Sequence, residues 1–273
     1  MNLTSCIVLV ADEPYLPHAK SVMVNCRRQG KWKGDFCLVM PADAAETPPS
    51  YFKERGIHVL TDGEPTYYRK FAIFDKFFEK WDIVFYMDCD VLVVNPLEPL
   101  LHEVQWGQVL ADRELFTLRH AFTFWAKPED LEKPETVAAF AKLWEEFSPD
   151  WQQFNTGVLL YHPRTMIPDA RKKLAEMRER VAPINTHVVK GTDQPIINLV
   201  LYDRFASIRS DMVAYWRHEW AGSIIVHTCS GYAPWIAKEP GMDGYASEVL
   251  GRPMHDVYLE NLAAFEAEFP VKG

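Results

Sequence analysis

The sequence predicts an α/β fold: a sandwich around a mostly parallel sheet, with helices on both faces. Two observations carry this. Short, β-branched apolar runs alternate with amphipathic segments through residues 5–90. The runs at 5–11 and 83–87 have little polar character on either side, as strands covered on both faces do.

The elements follow in order. Residues 5–11 form a strand broken by Asp12-Glu13-Pro14, and residues 16–29 suit a helix stopped at Gly30. Residues 35–40 form a second strand ended by Pro41; a short helix at 48–54 ends at Gly56 before a third strand at 57–60. Residues 66–80 predict an amphipathic helix, because Phe71, Phe74, Phe77, Phe78 and Trp81 recur at helical spacing. Ile83 to Met87 is a strand running into Asp88-Cys89-Asp90, and residues 91–94 continue extended.

Residues 112–133 are rich in charge and aromatics without clear periodicity, and read as a variable surface insertion, with a lid or acceptor loop as the other reading. A helix at 135–147, a strand at 158–161, helices at 168–182 and 193–201, a strand at 224–226 and a helix at 255–268 complete the pattern. With no repeat, low-complexity tract or linker, residues 1–273 read as a single domain.

Composition narrows the function classes. The net charge of -9 and one isolated basic stretch, Arg27 to Lys33, argue against nucleic-acid binding. That stretch reads as a solvated helix end and turn, with at most a peripheral contact to an anionic membrane or a phosphate as the other reading. No run approaches the roughly 20 apolar residues of a spanning helix. The five cysteines include no Cys-x-x-Cys, which reads as buried thiols in a reducing, cytoplasmic compartment.

Ligands in open α/β sheets bind beyond the carboxyl ends of the strands. Four stations sit at such places. At the first, Asp88 and Asp90 flank Cys89, and two carboxylates there repel unless a cation or donors compensate. A hard divalent ion held by them suits a diphosphate; a strand-end cap or turn is the structural alternative. At the second, Asn155-Thr156-Gly157 lies where a chain enters a strand; Asn offers both donor and acceptor to a hydroxyl-rich ligand, or simply makes a turn. At the third, Gly191-Thr192-Asp193-Gln194-Pro195, a carboxylate and an amide face a sugar ring or cap the next helix. The fourth is His227, after Ile224-Ile225-Val226, where an imidazole can complete a metal site, a lone His being more often structural.

Taken in order, these stations resemble glycosyltransferase family 8, the retaining GT-A enzymes that include glycogenin and bacterial lipopolysaccharide galactosyltransferases. The similarity runs over roughly residues 5–235: Ala11-Asp12-Glu13-Pro14-Tyr15, Tyr68-Arg69-Lys70, Tyr86 to Asp90, Phe154 to Val158, Asp193-Gln194, and His227 with Pro234-Trp235. The resemblance implies that Asp88, Asp90 and His227 bind Mn²⁺ (or Mg²⁺), which holds the diphosphate of a UDP-sugar donor. It implies that Ala11, Asp12 and Tyr15 meet the uridine, that Arg69 or Lys70 reaches phosphate or sugar, and that Cys89, Thr156 and Gly231 line the donor site. Asp112, Asn155, Asp193 and Gln194 would hold donor hydroxyls, with Asp193 or Gln194 at the anomeric carbon and Asn155 beside them.

Two positions depart from the family pattern: Ser230 where a Gly is usual, with Gly231 shifted by one, and Ala233 where a Lys precedes Pro-Trp. That Lys normally supports the leaving diphosphate, and Lys238 is the nearby substitute.

The expected function is metal-dependent, retaining transfer of a glucose or galactose unit from a UDP-sugar to a glycan, lipid-linked or protein acceptor. The rival suggested by Ala233 is a nucleotide-sugar-binding relative without transfer. A haloacid-dehalogenase-type phosphatase would use Asp88 as nucleophile and want a flexible loop behind it, where the chain has apolar residues 91–94. A nucleotidyltransferase would want a Gly-rich loop after the first strand, and residues 11–16 contain none.

Overall fold

A computed structural model of the chain describes residues 3–65, 67–124, 126–166, 169–184, 193–215, 222–228, 233–236 and 248–272. The first half comprises β1 (Ser5–Val10), α1 (Leu16–Arg28), β2 (Asp35–Met40), α2 (Pro49–Lys53), β3 (His58–Thr61), β4 (Ile83–Met87), β5 (Val91–Val93) and α3 (Glu98–His102). Then come β6 (Val109–Thr117), α4 (Leu118–Thr123), α5 (Pro128–Leu131), α6 (Pro134–Glu146), β7 (Gln152–Tyr161) and α7 (Ala170–Val181). The chain closes with α8 (Gln194–Val200), β8 (Phe205–Ser207), β9 (Val213–Tyr215), β10 (Ile225–His227), the short pair β11 (Glu248–Val249) and β12 (Arg252–Pro253), and α9 (Met254–Glu268).

Among the described residues, seven strands form the main sheet in the order β3-β2-β1-β4-β7-β6-β8. Every neighbouring pair is parallel except those made by β7, which runs against both β4 and β6. Alternation along β1 splits the core. Ile7 and Leu9 join α1, Phe265 and Phe269 on one face, while Cys6 and Val8 join Phe71, Phe78 and Ile196 on the other. Both faces are covered, which is why the strands read as nearly unbroken apolar runs.

A second sheet, β5-β10-β9, stands beyond the end of β4. The segment Asp88-Cys89-Asp90 is therefore the junction where the chain leaves one sheet for the other. Because β5 and β10 pair antiparallel with Val91 opposite His227, register sets His227 beside Asp90.

Four expectations need correction. The helix expected over 66–80 is two 3₁₀ segments, Tyr68–Phe74 and Lys76–Lys80. Asp75 between them is extended, and its carboxylate accepts from Phe77 N–H at 2.8 Å, restarting the turn. The aromatic spacing still reports burial of Phe71, Phe78 and Trp81. The region 112–133 is not plain insertion, since β6 runs through to Thr117 and α4 follows; register breaks after Ala111 and Arg113 hide its period. Asn155 and Gly157 lie inside β7, which begins at Gln152, not at a strand entrance. His227 is the last residue of β10 rather than the residue after the strand.

Among the described residues no helix is long and apolar enough to cross a membrane.

Candidate functional site

The reversed direction of β7 gathers the site. Its second half pairs with β4, with Val158 opposite Met87 at the carboxyl end, so its first half runs past that end, and Asp88 N–H donates to Gly157 O at 2.7 Å. Asn155, Thr156 and Gly157 thereby reach the edge where Asp88 and Asp90 leave the sheet.

The α8 helix is fastened to the same stretch of β7. Phe154 N–H donates to Asn198 Oδ1 at 2.7 Å, and Asn198 Nδ2 donates to Phe154 O at 2.8 Å and to Gln194 O at 3.0 Å. This buried amide satisfies backbone groups beside the irregular β6–β7 ladder. It sets the start of α8 against Thr156, whose N–H donates to Gln194 Oε1 at 3.2 Å and whose hydroxyl donates to Asp193 Oδ2 at 3.1 Å.

Lys70 spans the gap. Its Nζ lies 3.0 Å from Asp88 Oδ1 and 3.0 Å from Asp193 Oδ2. Burial alone would lower its pKa, but the two carboxylates hold it above the ordinary lysine value. The buried Tyr86 hydroxyl also donates to Asp88 Oδ1. Burial, then the neighbouring Asp88 charge, raises the Tyr86 pKa, so the phenol keeps its proton to donate.

The other side of Asp88 faces the imidazole. His227 Nε2 is 3.9 Å from Asp88 Oδ2 and 3.3 Å from Asp90 Oδ1. Burial disfavours the charged imidazole, yet Asp90 and Asp88 hold its pKa above the usual value. Ligand atoms from Asp88, Asp90 and His227 lie within 4.8 Å of one another. Gly157 keeps this space open: a Cβ there would stand 2.2 Å from His227 Cε1 and 2.9 Å from Asp88 Oδ2. Two carboxylates and one imidazole around a gap that admits no side chain fit a divalent cation such as Mn²⁺ or Mg²⁺.

A cleft of about 470 Å³ opens in front, and Ala11, Asp12, Tyr15, Lys70, Cys89 and Trp235 are among its walls, with Asp88, Asp90 and Asp193. Arg69 and Lys70 divide their work. Arg69 is tied to Asp12 and to the carbonyls of Asp62 and Glu64, so it builds the wall, whereas Lys70 faces the cleft. Asp112, Asn155 and Gln194 do not line the cleft itself. Asp112 accepts from Arg113 N–H, and Asn155 bonds Gly157 N–H and, at 3.3 Å, Glu114. Gly231 and Lys238 lie outside the described residues.

Several contributors went unassigned in the sequence. Tyr86 and Trp235 stood inside quoted motifs, but their roles depend on three-dimensional neighbours. Trp235 stacks on His18 with centroids 3.7 Å apart, and His18 Nδ1 pairs with Tyr258 OH at 2.9 Å. Asn198 sits in an apolar helix and Glu114 in an unperiodic stretch, so only the buried amide itself was a signal.

An α/β sheet whose strand ends carry two carboxylates and an imidazole, with a buried lysine reaching them from a 3₁₀ segment, has groups that could hold a cation beside one cleft. The profile of glycosyl transferase family 8 matches residues 61–235, well over half of the chain. The chain belongs to glycosyl transferase family 8, and this removes the phosphatase and nucleotidyltransferase alternatives.

The fold is similar to that of the glycosyltransferase GlyE of Streptococcus pneumoniae TIGR4, with TM-score 0.61 and 17% identity over 99% of this chain and 66% of that one. It is similar to the galactosyltransferase LgtC in complex with donor and acceptor sugar analogs, with TM-score 0.56 and 18% identity over 95% of each chain. The apo bifunctional enzyme WbbM gives TM-score 0.55 and 15% identity over 98% of this chain and 51% of that one. The chain thus spans about two thirds of GlyE and half of WbbM. Among curated proteins none matches.

Proposed function

We propose that this protein transfers a hexose, glucose or galactose, from a UDP-sugar to a glycan, lipid-linked or protein acceptor, with retention of anomeric configuration. The observation that carries the reading is the two-sided use of Asp88, toward His227 and Asp90 on one side and toward Lys70 and Asp193 on the other. In this reading Asp88, Asp90 and His227 hold the cation, Tyr15 stacks on the base, and Asp12 meets the uridine.

When bound, the cation neutralises the diphosphate and eases its departure. The chain's own groups do the rest. Lys70 is charged and buried, and it supplies a positive charge where the leaving oxygens gather negative charge. Asp193, held by Thr156, offers a carboxylate to the positive charge that develops on the sugar, with Gln194 beside it and its amide oxygen bonded to Thr156 N–H. Asn155 Oδ1 accepts from Gly157 N–H, and a sugar hydroxyl would take over the 3.3 Å contact that Asn155 Nδ2 makes with Glu114. We place the protein in a reducing, cytoplasmic setting, a reading supported by free, buried Cys6, Cys26, Cys37 and Cys89.

The test is UDP release from a panel of UDP-sugars with MnCl₂, followed by proton NMR of the first glycoside formed. An α-linked product from an α-linked donor supports the assignment; an inverted product contradicts it. Donor binding with neither transfer nor hydrolysis would make the chain a binding relative, the outcome that Ala233 in place of the usual Lys would then explain.

A further inference from the structure

Past the first register break in β6, the end of the strand and the helix after it carry aromatic side chains into solvent. Thr117 caps α4 by accepting from His120 N–H at 3.3 Å. This folds α4 back, so that Phe116 and His120 stack at 4.2 Å with 12° between their planes. Phe124, one turn further along, lies 4.6 Å from His120 and 6.0 Å from Phe116. The outer rings are open to water, Phe116 by 44% and Phe124 by 52%. An exposed apolar patch of this kind marks a contact surface more often than a lone exposed residue does.

The patch is coupled to the site by hydrogen bonds. Glu114, two residues before Phe116 on the same strand, has Oε2 3.3 Å from Asn155 Nδ2. Gln152 Nε2 donates to Glu114 O at 2.8 Å. Asn155 in turn neighbours Thr156, which holds Asp193 and Gln194. Flat rings beside a carboxylate and amides match a pyranose, which has one apolar C–H face and a rim of hydroxyls. A lipid tail would use the rings alone and offer nothing for the Glu114 carboxylate and the Asn155 amide to bond.

We propose that Phe116, His120 and Phe124, with Glu114, form the acceptor subsite, on which a pyranose ring of a glycan acceptor stacks while its hydroxyls meet Glu114 and Asn155. This rests on the sugar-transfer reading above and names where the second substrate lies.

The test is saturation-transfer NMR on the full chain with UDP and MgCl₂, using millimolar lactose, maltose and cellobiose as probes. At least one disaccharide should receive saturation, with binding about tenfold weaker in Phe116→Ala/Phe124→Ala and retained in Phe116→Trp. Undiminished binding in the alanine variant overturns the subsite, as does failure of all three probes to bind. Concentration-dependent sedimentation abolished by the alanine variant would assign the rings to contact between copies and overturn it too. A UDP–Mg²⁺ thermal shift on the unsubstituted chain reads the donor cleft separately. If that shift is missing, the donor reading fails while the disaccharide arm still decides the subsite.

Discussion

Lys70 Nζ and Asp88 Oδ1 stand 3.0 Å apart, and this contact turns the second oxygen of Asp88 toward His227. One carboxylate thus belongs to two arrangements. Removing the lysine by Lys70→Met leaves Asp88 and Asp193 without their buried counter-charge. The expected loss is about 3 kcal/mol by urea denaturation at neutral pH, since breaking a buried pair strands the remaining charge. Added MnCl₂ should stabilise the variant more than the parent, because a cation neutralises the freed carboxylates. Equal stability of variant and parent would mean that the lysine carries no structural charge balance.

Tyr86 is expected to tune the cation site without touching it. Its hydroxyl donates to Asp88 Oδ1 from a buried position in β4. Tyr86→Phe should weaken Mn²⁺ binding by about tenfold, the usual effect of losing a partner that orients a ligand. Isothermal titration of MnCl₂ in the presence of UDP measures it.

The Asn198 clamp should matter to stability and to the site together. Asn198→Ala removes two hydrogen bonds to the Phe154 backbone and one to Gln194. Leaving these buried groups unpaired costs roughly 2–3 kcal/mol. Asn198→Asp keeps an acceptor for Phe154 N–H but loses both donated bonds, so it should not restore stability. Chemical denaturation of the three proteins ranks them.

How much of this was readable beforehand follows from the physics of each piece. β1 and β2 were legible because burial on both faces leaves no polar alternation to confuse the reading, whereas the partly buried edge strand β3 was marked by the turn at Gly56 before it. Asp88, Asp90 and His227 were legible as chemistry, but their meeting depends on β5 pairing with β10, a long-range register that no local pattern encodes. The helix expected at 66–80 failed on one residue, Asp75, whose side chain competes with the helical backbone. The strand β6 failed because its register breaks destroy period-two alternation. The separation of Arg69 from Lys70 could not be read at all, since adjacent positive charges look alike until their partners are seen.

A pH effect follows from His18. Burial lowers its pKa from 6.5 to about 4, so the unfolded chain takes up the proton first. Its contribution to stability is therefore complete above pH 6.5, declines as pH falls toward 4, and is flat below that. His18→Phe, which preserves the ring against Trp235, should lose less melting temperature than the parent between pH 7 and pH 4.5. Parallel pH profiles for the two proteins would contradict this.

The central claim is that Asp88, Asp90 and His227 hold a cation that in turn holds a nucleotide diphosphate. Thermal shift with UDP and MnCl₂, separately and together, on the parent and Asp90→Asn tests it most directly, because a ligand bound only by the folded state raises the melting temperature. The account predicts a rise that needs both components and disappears in Asp90→Asn. No rise at millimolar UDP with metal, or an equal rise in the variant, would contradict it.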